Sequence, residues 1–281
     1  MPELAYVNGE ILPIEEARVP IEDRGYQFGD AVYEVIASYD GRMFCLEEHL
    51  DRLEYSMSSL EFPEVPRERL RSAITELFEK AELPRAAVYV QISRGIAPRN
   101  HAFPDAGDIQ FIITARAVKK VPPEYREEGV AAITMRDFRW ARCDIKTTQL
   151  LPNATAKQKA LETGVYDTIF ITEDDVVREA TSSNLFIVSN GKLMTHPLTQ
   201  NILGGITRIV ILDICKEQGL QVEERLYHTK DMYAADEVFL SGTITEIMPI
   251  VNIDKRPIGN GKVGPITRQL FESLRARMTS C

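Results

Sequence analysis

The sequence predicts an α/β protein in two domains: a small α+β domain, then a larger one of many short strands with helices around them, barrel-like in character. Three observations predict it. The chain has 281 residues, long for a single compact core. Strand-like runs in both halves are short and interspersed with helical stripes. Lys119–Glu124 (K-K-V-P-P-E) is charged and proline-stiffened, which reads as a linker. The expected organisation is therefore 1–118, a linker at 119–124, and 125–281.

Leu4–Val7 and Glu10–Leu12 flank Asn8-Gly9, the signature of a tight hairpin. Asp23–Asp30 carries two glycines and is expected to be a sharply bent loop. Val32–Tyr39 is β-rich, and Asp40-Gly41 turns it into Arg42–Leu46. Leu46, Leu50, Leu53, Met57 and Leu60 form one apolar stripe of a helix, with His49 and Arg52 beside it. Leu70, Ile74, Leu77 and Ala81 mark a second helix, stopped before Pro84. Val88, Val90 and Ile92 alternate with polar residues as a half-buried strand; a loop runs to Asp108, and Ile109–Ala115 returns.

In the second half, strands are expected at 130–135, 168–172, 184–188, 192–195, 238–241 and 247–251. Helices are expected from Pro152 to Leu161, over Ile206–Gln218, where Gly219 ends it, and over Ile266–Met278.

Net charge is 33 − 42 = −9, which disfavours a nucleic-acid or anionic-membrane surface. No basic, apolar leader opens the chain and no run reaches 18 apolar residues, so a cytoplasmic protein outside the membrane is expected. Cys45, Cys143, Cys215 and Cys281 are far apart and are expected to be reduced thiols. Neither H-E-x-x-H nor a Walker P-loop is present, and no metal site is expected.

Three parts suggest one cofactor. Lys146 follows a strand-like run and precedes a helical one, and an amine can condense with an aldehyde. Glu179, in R-E-A-T-S-S-N, could hold a protonated ring nitrogen by a charge-assisted bond, although an exposed turn acid is the plainer local reading. Gly204-Gly205-Ile206-Thr207 opens a helix, where backbone N–H groups can face a phosphate. Thr243 could add a donor and Arg52 a full charge, with an ion pair to Glu48 the bland alternative for Arg52. Together these are the requirements of pyridoxal 5′-phosphate. Arg99 and His101 lie two apart on a loop and, with Tyr33, could trap a substrate carboxylate.

The same stretches carry a family resemblance. D-R-G-Y-Q-F-G-D-A-V-Y-E-V (Asp23–Val35), E-H-L-D-R-L (Glu48–Leu53), R-G-I-A-P-R-N-H-A-F-P (Arg94–Pro104) and R-W-A-R-C-D-I-K (Arg139–Lys146) run in order. E-A-T-S-S-N-L-F (Glu179–Phe186), T-H-P-L-T-Q-N-I-L-G-G-I-T-R (Thr195–Arg208) and N-G-K-V-G (Asn260–Gly264) follow. The chain resembles the D-amino acid aminotransferases among the fold-type IV pyridoxal-phosphate enzymes.

The resemblance implies a small α/β domain and a pseudo-barrel. It implies Lys146 as Schiff-base lysine and proton shuttle, and Glu179 as partner of the pyridine nitrogen. It makes Arg52, the backbone of Ile206 and Thr207, and Thr243 the phosphate cup. Tyr33, Arg99 and His101 become the carboxylate trap, with Arg99 and His101 reaching in from the partner of a homodimer. The substrates implied are D-amino acids and 2-oxo acids, D-alanine and 2-oxoglutarate giving pyruvate and D-glutamate.

Branched-chain enzymes of the same fold lack the R-x-H loop and carry a tyrosine five residues after the lysine, where this chain has Leu151. A branched-chain or broad-specificity aminotransferase, an aminodeoxychorismate lyase-like enzyme and a non-catalytic relative are the alternatives. Ala31, Ala180-Thr181 and Thr147-Thr148-Gln149 depart from the family's usual residues and bear on substrate range.

Overall fold

A computed structural model describes residues 3–105 and 108–280. The described residues divide into two compact units, one spanning 3–119 with Ile145–Gln149 and the other 120–144 with 150–280.

The first unit contains β1 (Leu4–Val7), β2 (Glu10–Pro13), α1 (Arg24–Phe28), β3 (Ala31–Tyr39), β4 (Arg42–Met43), α2 (Leu46–Ser59), α3 (Arg67–Ala81), β5 (Ala86–Ile96) and β6 (Asp108–Ala117). Its sheet has the order β2-β1-β6-β5-β3-β4. Apolar residues on one face of β5 (Val88, Val90, Ile92) are fully buried, as period-2 alternation dictates. Leu50, Leu53, Leu70, Ile74 and Leu77 of α2 and α3 are also buried.

Two expectations are corrected here. Asp23–Asp30 is not a loop: Asp23 caps α1 by accepting the Gly25 N–H at 2.6 Å, and Gly29 closes it in the left-handed region at φ 66°. His49 does not flank the apolar stripe of α2; it lies within the buried face, together with Ser56.

The second unit contains α4 (Pro123–Glu127), β7 (Val130–Arg136), α5 (Leu151–Glu162), β8 (Asp167–Ile171), β9 (Val177–Ala180), β10 (Asn184–Ser189), β11 (Lys192–Thr195), α6 (Ile206–Glu217), β12 (Val222–Glu224), α7 (Thr229–Tyr233), β13 (Glu237–Gly242), β14 (Glu246–Ile253), β15 (Arg256–Pro257) and α8 (Pro265–Ser280). The sheet runs β12-β11-β10-β13-β14-β7-β8-β9, and β9 pairs back onto β10 through Glu179 and Asn184. The path β10-β13-β14-β7-β8-β9 thus closes on itself, which is the pseudo-barrel. Ile169, Val177, Ala180, Leu185, Ile187, Leu240, Met248 and Ile250 belong to its core. Closure abolishes the open edges that a nine-stranded sheet would otherwise expose there.

The segment holding Lys146 differs from the expected organisation. Ile145–Gln149 cluster with the first unit because their backbone bonds to the start of β3. The Tyr33 N–H donates to the Lys146 carbonyl at 2.9 Å, and the Thr148 N–H to the Ala31 carbonyl at 3.0 Å. Cys45, Cys143 and Cys215 are free thiols, and Cys281 lies outside the described residues. Among the described residues no helix is long and apolar enough to cross a membrane.

Candidate active site

In the first unit the lysine is set by three local features. The Ser56 hydroxyl, on the buried face of α2, accepts the Lys146 N–H at 3.2 Å. The bridge between Val32 and Thr147 aligns the segment with β3. The Lys146 Nζ then stands 4.2 Å from the centroid of the Tyr33 ring. Among the described residues no carboxylate pairs with this amine.

Beside it lies a buried charged triad that sequence reasoning missed in part. Arg52 donates to both oxygens of Glu34, Nε to Oε1 at 2.7 Å and Nη2 to Oε2 at 2.8 Å. His49 Nδ1 meets the same Oε2 at 2.7 Å. Burial alone would raise the Glu34 carboxyl, but the Arg52 charge and the bonds from Arg52 and His49 outweigh it and hold it at about 2. Burial pushes the His49 imidazole down, against the pull of Glu34. Arg52, expected at a phosphate, is therefore oriented by a bidentate carboxylate. The available signals were a glutamate inside an apolar β-run and the i,i+3 pair His49/Arg52.

Arg99 and His101 lie exposed on the β5–β6 loop. Both pack on Phe28: the guanidinium carbon 4.4 Å from the ring centroid, the imidazole centroid 5.5 Å away. Among the described residues no hydrogen bond, ion pair or ring contact joins either to Tyr33. Tyr33 stacks obliquely on Tyr89, 5.5 Å between centroids.

In the second unit Glu179 is 5 % exposed at the closure of the barrel. Its Oε1 accepts from Arg139 at 2.5 Å; its Oε2 accepts from the Asn184 amide at 3.0 Å and the Leu203 N–H at 3.1 Å. Arg139 also donates to Asp137, which Arg178 contacts at 2.7 Å. Burial raises Glu179, partly opposed by Arg139. Burial would raise Asp137 too, but its two arginines hold it below the usual carboxylate range. Arg139 and Asp137 were missed, because nothing local in R-W-A-R announces a partner forty residues on.

The start of α6 has the features of an anion cradle. No side chain caps it, so the first-turn amides, including those of Ile206 and Thr207, lack acceptors within the helix. A Cβ on Gly205 would lie 2.1 Å from Asn184 Oδ1, so only glycine permits this approach. Asn184 pairs in register with Ser241, and the hydroxyls of Ser241 and of neighbouring Ser183 are buried without a partner among the described residues. Thr243 lies two residues past Ser241, in the β13–β14 turn. An uncapped helix start, orphaned hydroxyls and a desolvated carboxylate suit a phosphate and a protonated ring nitrogen.

A sequence model of the family Amino-transferase class IV matches residues 31–253. The chain belongs to that family. It is an aminotransferase of class IV, and the closed barrel and small sheet are that family's fold. It is 40% identical to the D-alanine aminotransferase of Bacillus licheniformis over 277 residues, covering 97% of this chain and 96% of the relative. It is 42% identical to the D-alanine aminotransferase of Listeria monocytogenes over 271 residues, 95% of this chain and 93% of the relative. Among solved structures, the Escherichia coli branched-chain amino acid aminotransferase matches with a TM-score of 0.92 at 27% identity, covering 100% of this chain and 96% of that one. The branched-chain amino acid aminotransferase of T.th., solved with pyridoxamine 5′-phosphate, matches with 0.91 at 27%, covering 100% and 95%.

Proposed function

We propose that this class IV aminotransferase is a D-amino acid transaminase, using pyridoxal 5′-phosphate to move the amino group of D-amino acids such as D-alanine to 2-oxo acids such as 2-oxoglutarate. The observation that carries the reading is the 40% and 42% identity, nearly end to end, to D-alanine aminotransferases. The Arg99/His101 loop supports it, and Leu151 stands where branched-chain enzymes typically carry tyrosine.

Bound, the cofactor supplies an aldehyde that captures amines and a ring that accepts the electron pair left at the substrate's Cα. The chain supplies the rest. Lys146 would hold the cofactor covalently, and its amine, once freed, would act as the base that takes the substrate's Cα proton and carries it. Glu179 keeps the pyridine nitrogen protonated; Arg139 and the Leu203 N–H fix its orientation. The first-turn amides of Ile206 and Thr207, Thr243 and Arg52 bind the phosphate. Tyr33, Arg99 and His101 receive the substrate α-carboxylate. We infer a cytoplasmic homodimer with shared active sites, Arg99 and His101 serving the neighbouring copy; light scattering at several concentrations tests the dimer.

The second reading, a branched-chain L-amino acid aminotransferase, draws on the two structural matches. Cofactor absorbance after addition of D-alanine, L-alanine or L-leucine, each without acceptor, separates the two. Conversion with D-alanine and with neither L-amino acid is expected. Conversion with L-leucine and not D-alanine overturns the proposal.

A further inference from the structure

Three arginines surround the β5–β6 loop, and they are not equivalent. Arg24 and Arg94 are both buried and share one carboxylate, Asp30, at 2.7 and 2.9 Å. Arg94 donates further to the carbonyls of Leu60 and Glu61 and covers the Phe103 ring at 3.6 Å. Arg24 grips the crest of the loop. It donates Nη1 to the carbonyls of Asn100 at 2.7 Å and Ala102 at 3.2 Å, and Nη2 to that of His101 at 3.5 Å. One guanidinium thus fixes three consecutive peptide carbonyls, which its planar fork of five donors allows.

Arg99 is held differently. Its one hydrogen bond among the described residues runs to the Gln27 carbonyl at 3.3 Å, and no carboxylate partners it there. What orients it is Phe28, whose ring it faces at 4.4 Å. The same ring meets the His101 imidazole at 5.5 Å with a 55° tilt, and the Arg24 guanidinium at 4.8 Å. A ring face attracts cations without using up their hydrogen-bond donors. Phe28 therefore sets the direction of Arg99 while leaving its fork open for an anion.

We propose that Phe28 is a positioning residue for carboxylate recognition: its ring is the platform that aligns Arg99 and His101, with Arg24 as the clamp that fixes the loop beneath them. This rests on the reading that Arg99 and His101 receive the substrate carboxylate. Phe28 itself touches no substrate. It lowers the freedom that Arg99 would otherwise lose on binding, so its contribution falls on substrate affinity rather than on proton transfer.

The test compares Phe28→Leu, Phe28→Tyr and Arg99→Ala in the cofactor-loaded enzyme, with D-alanine and 2-oxoglutarate. Phe28→Leu is expected to raise KM for D-alanine about five- to tenfold, with a smaller change in kcat and full retention of the cofactor by absorbance. Phe28→Tyr, which keeps the π face, is expected to restore KM to within about twofold of the parent. Arg99→Ala raises KM more than either. If Phe28→Leu leaves KM within about twofold while Arg99→Ala raises it, the platform is refuted and the carboxylate reading stands. If Arg99→Ala leaves KM unchanged, the carboxylate reading itself fails and the platform with it. Should Phe28→Leu not fold, the unsubstituted protein decides. With phenylalanine and histidine selectively labelled, a nuclear Overhauser contact between the Phe28 and His101 rings is expected, and its absence overturns the proposal.

Discussion

Replacing Glu34 with glutamine keeps the shape of the side chain and removes the charge on which Arg52 and His49 converge. The magnitude follows from the carboxyl's position. It falls from 4.5 to about 2 on folding, and at ~1.4 kcal/mol per unit this amounts to about 3 kcal/mol of stability. The side chain is 1% exposed, so solvent screening takes little from this. The sign is fixed by the direction. A carboxyl depressed in the folded state contributes fully above about 4.5, and the contribution disappears as pH falls through about 2. His49 acts in the same sense, since a depressed imidazole loses stability as pH falls below its ordinary 6.5. Urea unfolding followed by far-ultraviolet circular dichroism, run on both proteins from about pH 7.5 down to about 3, measures the difference. A gap of about 3 kcal/mol at neutral pH that narrows below about pH 4.5 is expected. A gap under ~1 kcal/mol, or one equal at all pH values, refutes the buried-triad reasoning.

Glu179→Gln, which removes the charge but not the shape, is expected to lower turnover on the order of 10²-fold with the phosphate still bound; unchanged turnover in a stopped-flow half-reaction contradicts the role of Glu179. Gly205→Ala places a Cβ 2.1 Å from Asn184 Oδ1, and is expected to weaken cofactor retention in dialysis and to destabilise by ~1–3 kcal/mol; full retention contradicts the close approach. His101→Ala is expected to raise KM for D-alanine more than it lowers kcat, in steady-state assays coupled to pyruvate, and the reverse split argues against a carboxylate contact.

The long apolar periodicities were legible in the sequence. The α2 stripe from Leu50 to Met57 and the alternation at Val88–Ile92 reappear as buried faces because burial follows period directly. What stayed hidden was short or distant. The strand β9 has four residues, with Arg178 and Glu179 at its centre, and closes the barrel only through a pairing with Asn184. No local signal says that Arg139 will meet Glu179, or that Glu34 will face Arg52 across eighteen residues. Asp23–Asp30 read as a loop because its glycines dominate; the Asp23 cap and the left-handed Gly29 make a helix of the five residues between. The Lys146 segment was assigned by sequence position to the large domain, whereas its backbone bonds belong to β3. For Arg52 the residue type pointed to an anion, but the Glu34 carboxylate that orients it was hidden.

The proposed chemistry depends most on which amine carries the cofactor. Borohydride reduction of the holoenzyme makes that linkage permanent, and proteolysis with mass spectrometry then locates the added phosphopyridoxyl mass. The mass is expected on the peptide containing Lys146 and nowhere else. Label on another lysine, or a protein that acquires none, contradicts the account.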